Sequence, residues 1–86
     1  MKWRLEWTER ALKDVGRLDR PIRERVVVAA EKLAETGQGD VKRLSGHDAE
    51  WRLRVADWRV RFTFDHATNC IRVLRVLPRG SAYRKE

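Results

Sequence analysis

Cysteine is nearly absent from this sequence of 86 residues, and no long hydrophobic run occurs in it. The single cysteine, Cys70, has no intramolecular partner for a disulfide, which fits a reducing cytoplasm. No window approaches the roughly 18 consecutive apolar residues of a membrane span. No signal-peptide pattern is present either. We therefore expect a cytoplasmic protein without a membrane partner.

Familiar catalytic and metal-binding patterns are also missing. The sequence contains no Walker loop, no glycine-rich dinucleotide fingerprint and no HExxH motif. Its two histidines and one cysteine lie far apart, which makes a poor zinc site. His47 and His66 fall in predicted connections, where we expect solvated turn residues. The carboxylates fall mostly in predicted helices and form no obvious catalytic pair. We expect no metal and no cofactor.

Acidic residues are scarce in the second half of the chain. Residues 1–40 carry nine Lys and Arg against eight Asp and Glu, whereas residues 41–86 carry eleven against five. A focused positive field attracts polyanions. Most of these cations are arginines, whose planar fork binds phosphate oxygens bidentately. The charge pattern favours a nucleic-acid partner over an ordinary solvated surface.

The length predicts one domain over residues 1–86, beginning with a strand and two helices. Trp3, Leu5 and Trp7 alternate with polar residues, as in a half-buried strand. Thr8 is a plausible N-cap for a first helix, and Asp19 for a second that ends at Gly37. The first helix is predicted to bury Ala11, Leu12, Val15 and Leu18. The second is predicted to bury Ile22, Val26, Ala29, Ala30 and Leu33.

Three strands follow a polar connection at residues 40–50. They begin at Trp51, Trp58 and Cys70, and short turns separate them. The predicted order is β-α-α-β-β-β, an α+β fold in which a helical hairpin covers one face of an antiparallel sheet. Alternation places the following residues against the helices: Trp51, Leu53, Val55, Trp58, Val60, Phe62 and Phe64.

The opposite face of the first two of these strands carries four arginines: Arg52, Arg54, Arg59 and Arg61. The only nearby acid that the pattern suggests is Asp57, in the turn between the strands. With Lys42, Arg79 and Tyr83, such a set can stabilise the negative charge of a phosphorane during RNA cleavage. Arginine is a poor general base because it stays protonated. Basic antiparallel sheets also bind RNA without cleaving it, or bind acidic protein segments.

The pattern as a whole resembles the RelE/ParE superfamily of bacterial toxins, on its RelE side. The resemblance covers about residues 3–83, in the segments "WTERALKDVGRLDRPIRERV", "VKRLSG", "EWRLRVADWRVRF" and "RVLPRGSAY". It implies the RelE-like microbial ribonuclease fold and a ribosome-dependent mRNA endonuclease. Such an enzyme cuts mRNA in the ribosomal A site by attack of a 2′-OH on the adjacent phosphate, so that mRNA and rRNA are partners. A cognate antitoxin that hides the basic site is implied as well.

The resemblance also implies roles for individual residues. Arg59 matches the arginine that holds the scissile phosphate, and Arg79 the one that stabilises the transition state or leaving group. Tyr83 matches the tyrosine that stacks on a base and orients the 2′-OH. Arg52 and Arg54 match residues that orient mRNA. The predicted catalytic set is therefore Arg54, Arg59, Arg79 and Tyr83, and the predicted RNA-binding set is Lys42, Arg52 and Arg61.

Four positions depart from the family pattern. Lysine is absent at positions 52 and 54, which leaves the general base unassigned. Pro78 replaces a common histidine, and Ala56 replaces a common turn glycine. Two other functions stay open: a non-enzymatic, ParE-like inhibitor of DNA gyrase, and an RNA-binding module without toxicity.

Overall fold

Two helices and five strands make up the computed structural model, which describes residues 2–44 and 49–80. Their bounds, in chain order, are β1 Arg4–Trp7, α1 Glu9–Gly16, α2 Arg20–Thr36, β2 Val41–Arg43, β3 Glu50–Val55, β4 Trp58–Asp65 and β5 Cys70–Pro78. This arrangement confirms the predicted α+β class. In the described ranges, no helix is both long enough and apolar enough to cross a membrane.

All five strands belong to one sheet, in the order β1-β5-β4-β3-β2. The three long strands β3, β4 and β5 form the predicted antiparallel meander. The first strand pairs with the last in parallel, with Arg4 opposite Cys70 and Trp7 opposite Val73. A register shift after Arg61 interrupts the pairing of β4 with β5.

The strand β2 was not predicted, because residues 40–50 were interpreted as a polar connection. In the structure, Val41 pairs with Leu53, and Arg43 with Trp51, so β2 is an edge strand. A strand of three residues, two of them charged, is too short to show an alternating pattern. Its conformation comes from pairing with β3, a contact that local sequence does not reveal.

The helix ends follow the predicted capping chemistry at two of three positions. The Thr8 hydroxyl accepts the backbone N–H of Ala11 at the start of α1. Gly37 ends α2 with φ 76°, a left-handed conformation that glycine adopts without a steric penalty, and donates its N–H to the Leu33 carbonyl. Asp19 precedes α2 but makes no side-chain capping bond.

The core lies between the helices and one face of the sheet. Fully buried side chains come from both layers, with Val26 from α2 and Leu53, Val60, Phe62 and Val73 from the strands. The three aromatic residues Trp51, Trp58 and Phe64 are half-buried and pack against this core. The predicted apolar side of β3 and β4 is therefore confirmed.

The prediction that Leu12 is a core residue of α1 is wrong. Leu12 is 57% exposed, whereas Asp14 is only 7% exposed. The buried side of α1 follows the helical spacing through Ala11, Asp14, Val15 and Leu18. Hydrophobicity alone suggested Leu12, but the helix turns a carboxylate inward because that carboxylate has partners on β5.

Candidate nucleic-acid interface

Cross-strand pairing assembles a row of four cations across the sheet. Lys42 on β2 lies opposite Arg52 on β3, Arg52 opposite Arg61 on β4, and Arg61 opposite Arg75 on β5. Neighbouring strands are about 4.8 Å apart. Like charges at this spacing repel and destabilise a sheet unless counter-charges lie nearby.

A second row runs beside the first, nearer the turn between β3 and β4. Arg54 lies opposite Arg59, and Arg59 lies opposite Leu77. Arg79 follows β5 and donates its backbone N–H to the carbonyl of Asp57, at 2.9 Å. We call the five sheet arginines of the two rows the arginine face: Arg52, Arg54, Arg59, Arg61 and Arg75.

Two members of the arginine face are tied to carboxylates that are themselves largely buried. Glu50 Oε1 accepts from Arg61 Nη2 at 2.6 Å and from Arg61 Nε at 3.1 Å. Asp14 binds Arg75 in a bidentate manner, at 2.8 and 3.3 Å, and also accepts the backbone N–H of Val76 at 2.9 Å. These bonds neutralise the two cations that β4 and β5 contribute to the row.

A third carboxylate, that of Asp40, serves Arg52 and Arg54. Arg52 Nη1 donates to Asp40 Oδ1 at 3.1 Å, and Arg54 Nη1 lies 3.9 Å from Oδ2. The expectation that Asp57 is the acid beside the arginines was wrong. The compensating acids come from β3, from the residue before β2 and from α1, because strand register and helix packing bring them there.

Arg59 is held differently from its neighbours. Its Nη1 donates to the carbonyls of Ala56 and Trp58, at 3.0 and 2.9 Å, and the residue is only 6% exposed. Its Nε is buried and has no hydrogen-bond partner. Within residues 2–44 and 49–80, Arg59 makes no ion pair with a carboxylate. Its positive charge is therefore not neutralised by any acid of the described chain.

The turn that supplies one of these carbonyls is strained. Ala56 has φ 53°, a left-handed conformation that costs an L-residue with a side chain about 1 kcal/mol relative to glycine. This geometry explains why glycine is the common residue at this turn. Ala56 is therefore a structural departure from the family pattern, and its carbonyl still holds Arg59.

A second ionic network lies at the other end of β4. Arg72 Nε donates to Glu6 on β1 at 2.9 Å, and Arg72 Nη2 lies 3.5 Å from Asp65. The bond to Glu6 raises the pKa of Arg72 above its ordinary value. His66, in the following turn, packs edge-on against Trp3. These contacts stabilise the turn after β4.

The structure brings most of the predicted site residues onto one face of the sheet. Lys42, Arg52, Arg54, Arg59 and Arg61 share it by strand register. Arg79 lies beside the β3–β4 turn. The prediction for Tyr83 lies outside the described residues, as does the one for His47. Among the residues described, no group of three or more His, Cys, Asp or Glu could hold a metal ion.

Sequence reasoning missed Arg75 and all three compensating acids. Arg75 stands in the alternating strand "CIRVLRVL", so its strand was predicted but its face was not. The register shift between β4 and β5 decides that Arg75 faces Arg61. For Asp14, the helical spacing 11, 14, 15 and 18 carried a signal, since it places the carboxylate on the buried side.

The comparisons with known proteins agree with this architecture. The sequence family described as "ParE toxin of type II toxin-antitoxin system, parDE" matches residues 5–83. The match and the fold together define a toxin of the RelE/ParE superfamily. This chain belongs to the family of ParE toxins of type II toxin–antitoxin systems. None of the curated protein sequences matches the chain significantly.

Several solved toxin structures share the fold. A chain of the toxin–antitoxin complex RelBE2 from Mycobacterium tuberculosis has a TM-score of 0.80 and 22% identity, covering 92% of this chain and all of its own. A chain of the archaeal RelE–RelB complex from Pyrococcus horikoshii has a TM-score of 0.77 and 24% identity, covering 95% of this chain and all of its own. A free Escherichia coli RelE variant has a TM-score of 0.78 and 21% identity, and the match covers 95% of this chain and 88% of its own.

Proposed function

We propose that this toxin is a ribosome-dependent mRNA endonuclease that acts in the cytoplasm. The main support for this proposal is the state of Arg59. Its guanidinium is buried, two backbone carbonyls hold it in place, and no described carboxylate neutralises it. A preorganised cation of this kind stabilises developing negative charge without reorganising during the reaction.

The remaining residues take roles around the scissile phosphate. Arg54, 57% exposed and opposite Arg59, contacts the same phosphate group or its neighbour. Arg79 stabilises the leaving 5′-oxygen, and Tyr83 stacks on a base and orients the attacking 2′-OH. Lys42, Arg52 and Arg61 bind the RNA backbone. None of the guanidinium groups is the general base, because each stays protonated.

A cognate antitoxin inhibits the toxin in this proposal. The solved RelE structures support it, since several of them contain the toxin bound to an antitoxin. A partner with acidic side chains competes with RNA for the arginine face. Its binding also stabilises the folded toxin by mass action.

The test is cleavage of mRNA on purified, programmed ribosomes, read by primer extension. The wild-type toxin is expected to cut within the A-site codon. Arg59→Lys keeps the charge but loses the planar fork, and we expect its single-turnover rate to fall by about 100-fold. Arg20→Lys is the matched control, because Arg20 is exposed on α2 and pairs only with Glu24 among the described residues. Intact mRNA with the wild-type toxin would refute the proposal.

The family match supports a second candidate, a non-enzymatic inhibitor of DNA gyrase. In that case the arginine face binds a protein surface, and none of its residues is catalytic. Purified toxin then blocks DNA supercoiling by gyrase and leaves ribosome-bound mRNA intact. Running both assays on one preparation separates the two functions, and failure of both leaves an RNA-binding module without toxicity.

A further inference from the structure

Asp40 occupies a special position at the sheet edge. It precedes β2, and its carbonyl accepts the backbone N–H of Arg54 at 2.9 Å, so it extends the row that contains Arg54 and Arg59. Gly39 lets the chain pass close to β3, since a Cβ there would lie 2.8 Å from Leu53 Cδ1. The backbone therefore fixes Asp40 against β3.

The backbone carbonyl and the side-chain carboxylate of Asp40 both bind the guanidinium group of Arg52. Arg52 Nη1 donates to the Asp40 carbonyl at 2.9 Å and to Asp40 Oδ1 at 3.1 Å. Oδ2 faces Arg54 at 3.9 Å. The side chain of Arg52 is 13% exposed and its Nε has no partner, so Asp40 accepts all the hydrogen bonds that the Arg52 guanidinium donates within the described chain.

We propose that Asp40 is a positioning residue that orients Arg52 and Arg54 and lowers the affinity of the arginine face for phosphate. The inference rests on the proposed function, since it concerns the same RNA-binding surface. Asp40 is an internal anion that contacts two of the guanidinium groups to which the proposed function assigns RNA. It orders two guanidinium groups in the free protein, at the expense of the positive potential that attracts RNA.

Two opposite effects follow when the charge of Asp40 is removed. The arginines lose a competing anion, so a phosphate binds more tightly. The Arg52 hydrogen bond to Oδ1 also loses its charge-assisted strength, and Arg54 loses its ion-pair contact, so less of the bound RNA lies in the reactive arrangement. Substitution of a residue that only stabilises the fold would not raise the affinity for RNA and lower the cleavage rate together.

The experiment measures affinity and rate separately in Asp40→Asn. The binding probe is a fluorescein-labelled, 2′-O-methylated single-stranded RNA of about 12 nucleotides, which cannot be cleaved. We expect Asp40→Asn to bind it about threefold more tightly at low salt. One additional phosphate contact steepens the dependence of log K on log salt by about 0.7. The single-turnover cleavage rate on ribosomes is expected to fall.

Two further variants provide controls. Asp40→Glu restores the charge and is expected to return both affinity and salt dependence toward the wild-type values. Asp19→Asn removes the same charge at the start of α2, where the side chain makes no capping bond, and is expected to leave the affinity unchanged. Urea unfolding of each variant shows that the fold is intact.

The outcomes separate this inference from the proposed function. Unchanged or weaker RNA affinity in folded Asp40→Asn overturns the role of Asp40, and so does a wild-type protein that binds no RNA at low salt. Tighter binding with an unchanged cleavage rate refutes the positioning role. Absence of cleavage by the wild type refutes the endonuclease function, while the affinity measurement still decides whether Asp40 opposes phosphate binding.

Discussion

Arg61 and Arg75 lie directly opposite each other on antiparallel strands, and each is neutralised by a different carboxylate. Glu50 comes from the neighbouring strand β3, and Asp14 from helix α1. Because these acids belong to different elements, the pairing of two cations in the sheet depends on both the strand register and the placement of α1. The two arginines are therefore neutralised only when β3, β4, β5 and α1 have all packed together.

Glu50→Gln is expected to destabilise the fold by about 2 kcal/mol, because it leaves the largely buried Arg61 charge beside Arg52 with a weaker partner. Urea unfolding measures the loss. The double variant Glu50→Gln with Arg61→Gln is expected to recover part of it, since the unpaired charge is then gone. Additive losses in this cycle would contradict a direct pairing.

Asp14→Ala is expected to destabilise the protein by about 3 kcal/mol. It removes both oxygens that bind Arg75 and the acceptor for the Val76 N–H. Asp14→Asn keeps an acceptor without the charge and is expected to be intermediate. Chemical denaturation of the two variants beside Asp19→Ala checks this order, and a loss for Asp14→Ala no larger than for Asp19→Ala would show that the buried contacts contribute little.

Ala56→Gly is expected to stabilise the fold by about 0.5 to 1 kcal/mol, because glycine adopts the left-handed conformation at position 56 without strain. Thermal unfolding detects this as a higher Tm. Ala67→Gly, at an exposed turn position without positive φ, is the matched control and is expected to give no gain. A lower Tm for Ala56→Gly would mean that the turn carries no strain.

Asp65 is expected to make stability depend on pH in the acid range. Hydrogen bonds from Thr68, from its side chain and then from its backbone, lower the pKa of this carboxyl below its ordinary value. Because the pKa of Asp65 is lower in the folded state, this carboxylate stabilises the fold at pH values above its pKa in the unfolded chain. That contribution to stability disappears as pH falls below about 4. Asp65→Asn should therefore be less stable than wild type at pH 6, with a smaller difference at pH 3. A constant difference across this range would exclude the linkage.

The sequence predicts the meander and the arginine positions because their signals are local. Period-two alternation from Trp51 to Phe64 places apolar and basic side chains on opposite faces, and the structure has this arrangement. Thr8 and Gly37 likewise act within a few residues of their own positions. Such features require no knowledge of how distant parts of the chain meet.

The features that were missed depend on contacts between distant segments. Asp14 and Arg75 are 61 residues apart in the chain, and no local pattern indicates that they pair. The three-residue strand β2 forms only because β3 offers an edge to it. The counter-charges of the arginine face were missed for the same reason, since register decides which acid meets which arginine.

The parallel pairing of β1 with β5 has a consequence for the order of folding. Leu5 pairs with Ile71, so the first strand finds its neighbour only after both helices and the other strands have been made. Contacts between such distant segments form slowly, because a long loop must close before they contribute any stability. During synthesis, the helices and the β3–β4 hairpin can form early, but Arg61 has only Arg52 opposite it until β5 brings Arg75. The toxin therefore completes its arginine face only after β5 has been made and has paired with β4.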